Sequence, residues 1–204
     1  PVIDLTKYKE ASEVGTLFKE YNLEQVNQMQ VSKQADIMIL FFLMEDLFPL
    51  DVKRANWDYY EPKTLHDSSL SLSTHVILAS DMKDKKMAYE LFQRAVRIDA
   101  GENMKSSDAG IHAASIAGIW QSVVYGFGGV RMLHGELRVC PMLPDAWRSL
   151  EFFIYWHGQK LQLRMDHQEV WIKNVTGTET VEIEVYGNKY QILDEITVKI
   201  DENM

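Results

Sequence analysis

Near residue 130 the spacing of apolar residues switches from steps of three and four to steps of two, so the chain divides into a helical part and a sheet part. In the earlier part Ala88, Leu91, Phe92, Ala95 and Val96 recur with the period of one helix face behind Asp84, a ready cap, which predicts an amphipathic surface helix. The run Ile37 to Met44 (IMILFFLM) is apolar on every side and too short to cross a bilayer. Ser32 as a cap and Ala35-Asp36 in a first turn favour helix over strand there, and a helix apolar all round must be covered all round. Leu70 to Met82 and Ile111 to Val124 read as two more helices.

Beyond Arg131, Leu150, Phe152, Ile154 and Trp156 alternate, and Leu161, Leu163 and Met165 follow across His157-Gly158, a hairpin turn. Val170 and Ile172 form a third run. Val181, Ile183 and Val185 lead into Gly187-Asn188, a two-residue hairpin signal, before Tyr190 and Ile192 return. Pro141 and Pro144 in CPMLPDAW make an extended connection. The expectation is an α+β chain, with helices over 1–130 and an antiparallel β-sandwich over 131–204.

Composition narrows the function classes. With 204 residues, 46% hydrophobic and 25% charged, the chain can bury a core in one or two domains, which excludes disorder. A single cysteine, Cys140, rules out an internal disulfide and C-x-x-C sites and points to a reducing, cytoplasmic setting. Lys plus Arg of 21 against Asp plus Glu of 30, a formal net charge of -9, argues against a nucleic-acid partner. No run of 18 apolar residues and no signal pattern argue against a membrane one. The six histidines are scattered without metal-site spacing, so no metal and no cofactor is expected. The first residue is Pro1 rather than Met, which suggests a piece of a longer protein.

Three segments carry candidate chemistry. In EPKTLHDSSLS (61–71), Pro62 disfavours helix before it and Asp67 or Ser68 can cap the helix starting near Leu70. Two serines, His66 and free N–H groups then gather at one helix N-terminus, a natural anion site, although D-S-S also reads as an ordinary cap. In SDAGIHAASIAGIWQ (107–121), Asp108 can cap, His112 falls in the first turn and Ser115 lies on the same face, while a core histidine bonded to a backbone carbonyl is the alternative for His112. Two such ends converging would make a phosphate or sulfate pocket without a Gly-rich loop. In SKQAD (32–36), Lys33 and Gln34 are suited to sugar hydroxyls or an anion, or form a plain polar first turn. Gly126-Phe127-Gly128-Gly129 reads as a turn into the β half, and the sequon Asn174-Val-Thr176 as incidental.

These blocks, in this order, resemble the C-terminal part of glycoside hydrolase family 65, the maltose, trehalose and kojibiose phosphorylases. The matching stretches are SKQAD, EPKTLHDSSLS, GIHAAS with GIWQ at 118–121, GFGG-V-R at 126–131 and PMLPDAW at 141–147. The resemblance implies that residues 1–130 are the last helices of an (α/α)6 toroid catalytic domain and 131–204 a jelly-roll-like C-terminal domain, in a homodimeric parent. It implies inverting phosphorolysis: phosphate attacks the anomeric carbon of an α-linked glucosyl disaccharide, and a general-acid glutamate protonates the leaving oxygen. Inorganic phosphate is then a co-substrate. By the same resemblance Ser68, Ser69 and His112 bind phosphate with His66 and Lys63 nearby, and Lys33 and Gln34 contact the glucosyl unit.

The family's acid lies upstream of SKQAD, outside this chain, so no catalytic residue is expected here and neither Glu61 nor Asp67 is nominated. Ala117 stands where the family has glycine, a change expected to bear on helix packing more than on chemistry. The alternatives are a family hydrolase, such as a trehalase or kojibiose hydrolase, and a non-catalytic carbohydrate-binding module that would stack sugars on Trp156 and Trp171.

Overall fold

The computed structural model describes residues 1–11, 15–66, 68–100 and 110–200, and the chain divides into two units, Pro1–Ser122 and Val123–Met204. The first unit opens with three short helices, α1 (Thr6–Lys9), α2 (Leu17–Glu20) and α3 (Leu23–Asn27). The last of these is closed by a capping box in which the Asn22 and Gln25 side chains each accept from the other's backbone N–H. The longer helices follow as α4 (Asp36–Leu43), α5 (Leu50–Tyr60), α6 (Ser71–Asp81), α7 (Lys85–Ala100) and α8 (Ala113–Gln121). Helix α6 is the centre of the unit: Leu72, Val76, Ile77, Leu78 and Ala79 are all buried, and α4, α7 and α8 pack against it.

Local chemistry explains the helix ends. Asp84 Oδ1 accepts from the Met87 N–H at 3.0 Å, so α7 is capped as its spacing predicts, with Ala88, Leu91 and Ala95 buried. Ser32 is not the cap of α4; that position is Ala35, and Ser32 instead pairs with Thr64 in an isolated parallel bridge. Helix α4 buries Met38 and Phe41 yet leaves Ile39 46% and Leu43 63% exposed, so the described residues do not cover it all round. The expected cap Asp108 lies outside the described residues, as does Asp67. His112 precedes the first turn of α8 rather than lying within it, and Ser115 is buried. Ala117 is exposed; the residue of α8 that packs is Gly118, whose Cβ position lies 2.5 Å from Ser73 Oγ of α6.

A π-helical segment, Ser122–Phe127, carries the chain into the second unit. There β1 (Val130–Leu133), β2 (Glu136–Val139), β6 (Val181–Val185) and β7 (Asn188–Ile192) form one sheet in the order β1-β2-β6-β7. The other sheet has the order β3-β4-β5-β8, with β3 (Ser149–Trp156), β4 (Gln159–Asp166), β5 (Glu169–Asn174) and β8 (Glu195–Lys199). Every neighbouring pair is antiparallel except β2 with β6, which is parallel. Inward residues of both sheets, among them Leu137, Val139, Leu161, Leu163, Ile172 and Ile183, meet in one core.

The hairpins turn on X-Gly pairs with positive φ at both positions: His134-Gly135, His157-Gly158 and Tyr186-Gly187. The third loop is therefore one residue earlier than Gly187-Asn188, because Val185 pairs with Asn188 and keeps the apolar face of β6 inward. The sequon asparagine, Asn174, is 3% exposed; its amide donates to the Glu179 carbonyl and accepts from the Gly177 N–H. Among the described residues no helix is long and apolar enough to cross a membrane.

Candidate functional site

Two backbone hydrogen bonds build the site in the helical unit. The Ser32 N–H donates to the Lys63 carbonyl and the Leu65 N–H to the Ser32 carbonyl, both at 2.8 Å, which lays the SKQAD block beside the EPKTLHDSSLS block. A cleft of about 890 Å³ opens next to this junction and is lined by Lys33, His66, Ser68, Ser69 and His112. Five of the seven residues singled out from the sequence thus share one cavity. The other two are not among its lining residues. Lys63 Nζ donates to the Tyr59 carbonyl at 2.9 Å and sits 3.4 Å from the Tyr59 ring centroid, and Gln34 is exposed, its carbonyl accepting from Ser32 Oγ.

His66 forms the floor. Its backbone is left-handed (φ 55°) and its side chain is fully buried. Nε2 lies 3.4 Å from Glu61 Oε1 and Nδ1 2.9 Å from Ser71 Oγ. A carboxylate only accepts, so the proton sits on Nε2 and the Ser71 hydroxyl donates to Nδ1; both ring nitrogens are spent inside the protein. Burial pushes the His66 pKa below the ordinary imidazole value, against the pull of Glu61. Glu61 is held in turn by Lys9, whose Nζ donates to its carbonyl at 2.7 Å and to Oε1 at 2.9 Å. Burial raises the Glu61 carboxyl, but the bonds from His66 and Lys9 outweigh it and bring the pKa to about 2. Behind His66, the His75 ring stands edge-on at 4.5 Å and donates Nδ1–H to the Ser71 carbonyl, and burial lowers its pKa to about 3.

Across the cleft stands His112, 41% exposed at its side chain. Its backbone N–H and its Nδ1–H both donate to Asp99 Oδ1, at 3.1 and 3.0 Å. Burial raises the Asp99 carboxyl, and these two bonds more than reverse that and hold it below the usual value. The remaining walls come from α7 and the N-terminal segment. Arg94 donates to the Lys9 carbonyl at 3.0 Å, and the lining carries Lys9, Lys33, Arg94 and Arg97 against Glu10 and Glu90. Because Lys9 is spent on Glu61, the lining is mixed in charge, and Lys33, Arg94 and Arg97 are the cations in it that an anion could meet.

Sequence reasoning passed over Lys9, Arg94, Arg97 and Asp99. Met87, Glu90, Leu91, Arg94, Arg97 and Ile98 repeat at helical steps along one side of α7, a stripe that was visible but indistinguishable from a solvated face until its partner surface was placed. Among the described residues no group of three His, Cys, Asp or Glu side chains is placed to hold a metal ion.

The sequence model of the glycosyl hydrolase family 65 central catalytic domain matches residues 1–121, and that of the glycosyl hydrolase family 65 C-terminal domain matches residues 130–192. The chain belongs to glycosyl hydrolase family 65. Among family 65 relatives, the kojibiose phosphorylase of Halothermothrix orenii is 44% identical over 169 residues, 83% of this chain and 21% of the relative. The maltose phosphorylase of Bacillus subtilis is 34% identical over 170 residues, again 83% of this chain and 22% of the relative. A solved structure provisionally named as a kojibiose phosphorylase from the human microbiome superposes with a TM-score of 0.89 at 32% identity, covering 98% of this chain and 27% of that one. The chain therefore spans about a fifth of the length of these two curated family 65 relatives.

Proposed function

We propose that this chain supplies the phosphate side of an inverting disaccharide phosphorylase. The observation that carries the reading is the convergence of Lys33, Ser68, Ser69 and His112 on one cleft that Arg94 and Arg97 also line. Phosphate held there by the two hydroxyls and the His112 ring attacks the anomeric carbon of an α-linked glucosyl disaccharide. The glycosidic C–O bond breaks as a general-acid glutamate, contributed from outside this chain, protonates the leaving oxygen. The products are β-glucose 1-phosphate and the released sugar. An inverting hydrolase needs a second carboxylate to activate water, whereas a bound phosphate dianion is already a nucleophile, so an anion site takes the place of the base.

In this reading Lys33 reaches the anion or the glucosyl hydroxyls, while His66 secures the serine loop. Residues 1–130 act as the last helices of an α/α toroid and 131–204 as its C-terminal β domain, within a homodimer as the family resemblance implies and in the cytoplasm as the single cysteine suggests. Kojibiose, maltose and trehalose are the substrates to test, since relatives carry those names. The whole enzyme, assayed on each disaccharide with and without phosphate, should consume one of them only when phosphate is present and form β-glucose 1-phosphate in equal amount. Release of two free sugars without phosphate would replace this reading with hydrolysis. The 204-residue chain alone should consume none of the three.

A further inference from the structure

We propose that Asp99 is the positioning residue for His112 at the anion site, an inference that rests on the phosphorylase reading above. Asp99 lies in the last turn of α7 with its side chain 4% exposed, and His112 immediately precedes α8. One oxygen, Oδ1, accepts from both the backbone N–H and the ring Nδ1–H of His112. Among the described residues Oδ2 is buried without a partner, so the bonds this carboxylate makes there all go to His112.

The two bonds act on different degrees of freedom. The backbone bond fixes where the residue stands relative to α7. The ring bond fixes the orientation of the imidazole and keeps a proton on Nδ1, which leaves Nε2 to the cleft, where it donates to a phosphate oxygen when the ring is an imidazolium and accepts the phosphate's own O–H when the ring is neutral. Of the two imidazoles that line the cleft, His66 has no nitrogen to offer, because Glu61 and Ser71 occupy both. The anion-facing role therefore falls to His112, and its aim depends on Asp99. Without the carboxylate the ring, partly exposed, is free to turn away from the cleft and the site must order it anew each time phosphate binds.

The test is a double-mutant cycle in the whole enzyme, read as the KM for phosphate and for disaccharide, with the melting temperature recorded for each variant. His112→Ala should raise the phosphate KM, and Asp99→Ala should raise it by about tenfold with little change in the disaccharide KM. The double variant should be no worse than His112→Ala alone, because Asp99 has nothing left to orient. If Asp99→Ala lowers the melting temperature and leaves the phosphate KM as in the wild type, or if the two effects simply multiply, Asp99 is a structural tie and the inference is overturned. If His112→Ala itself leaves the phosphate KM unchanged, it is the placing of phosphate on His112 that fails, and the inference falls with it. Should Asp99→Ala not fold, Asp99→Leu reads the same quantity, since it fills a similar volume and accepts from neither His112 donor. An increase of about tenfold that vanishes in the His112→Ala background supports the role, and no increase overturns it.

Discussion

His75 shows how one buried residue couples the site to acidity. Its ring is packed between Trp57 and His66, donates to the Ser71 carbonyl, and faces the Lys9–Glu61 pair beyond His66. Folding depresses its pKa from the ordinary 6.5 to about 3. As pH falls, the unfolded chain therefore takes up the proton first: the stabilisation is complete above about pH 6.5 and is lost progressively down to about pH 3. Glu61 adds a second loss at lower pH, from its unfolded value of 4.5 down to about 2. Denaturant titrations followed by the helical signal should show the first unit weaker by about 2 kcal/mol at pH 5 than at pH 7, and His75→Gln should flatten most of that dependence. Glu61→Ala, which leaves the largely buried Lys9 ammonium without its carboxylate, should cost about 2–3 kcal/mol at pH 7, measured the same way.

At the scale of the element, two glycines with similar backbone angles make opposite demands. At Gly129 (φ +60°) a Cβ would lie 2.0 Å from the Cys140 carbonyl oxygen, whereas at Gly187 (φ +79°) it would meet nothing within 4 Å. Gly129→Ala should cost more than about 3 kcal/mol and Gly187→Ala only about 1 kcal/mol, by urea denaturation of the β unit. The same contrast marks what could be read in advance. Strands β3 to β7 were legible because their alternation is strict, and the His157-Gly158 loop because a left-handed pair has few chemical solutions. Strands β1 and β2 were not, since each is four residues long and β1 holds a buried Arg131 whose guanidinium donates to the Tyr125 and Val130 carbonyls, breaking the pattern. Strand β8 offers only Ile196 and Val198. The parallel pairing of β2 with β6 joins residues some 46 positions apart, Arg138 with Glu184, and no local pattern encodes it. In the cleft, the serines and His112 stand out in the sequence by their helix-end setting, while Asp99 and Arg94 acquire meaning only once α7 is placed beside residues distant in sequence.

For the molecule as a whole, apolar surface is the salient property. Ile39, Leu43, Met44, Leu47 and Leu50 are all exposed in and beside α4, and apolar side chains gathered in this way favour association. The 204-residue chain on its own should therefore self-associate in a concentration-dependent way by size exclusion with light scattering, and Leu43→Lys with Leu47→Lys should shift it toward monomer. The cleft adds a different consequence, one of time. Its wall is tied by Lys9 to Glu61 across 52 positions and by Arg94 to Lys9 across 85, while α6 and α7, which supply Leu72 and one flank, are neighbours in the chain. Closing such large loops carries an entropic cost that adjacent helices avoid. The helix pair can thus assemble early and the N-terminal segment late, so the cleft should be among the last parts of the unit to mature during folding.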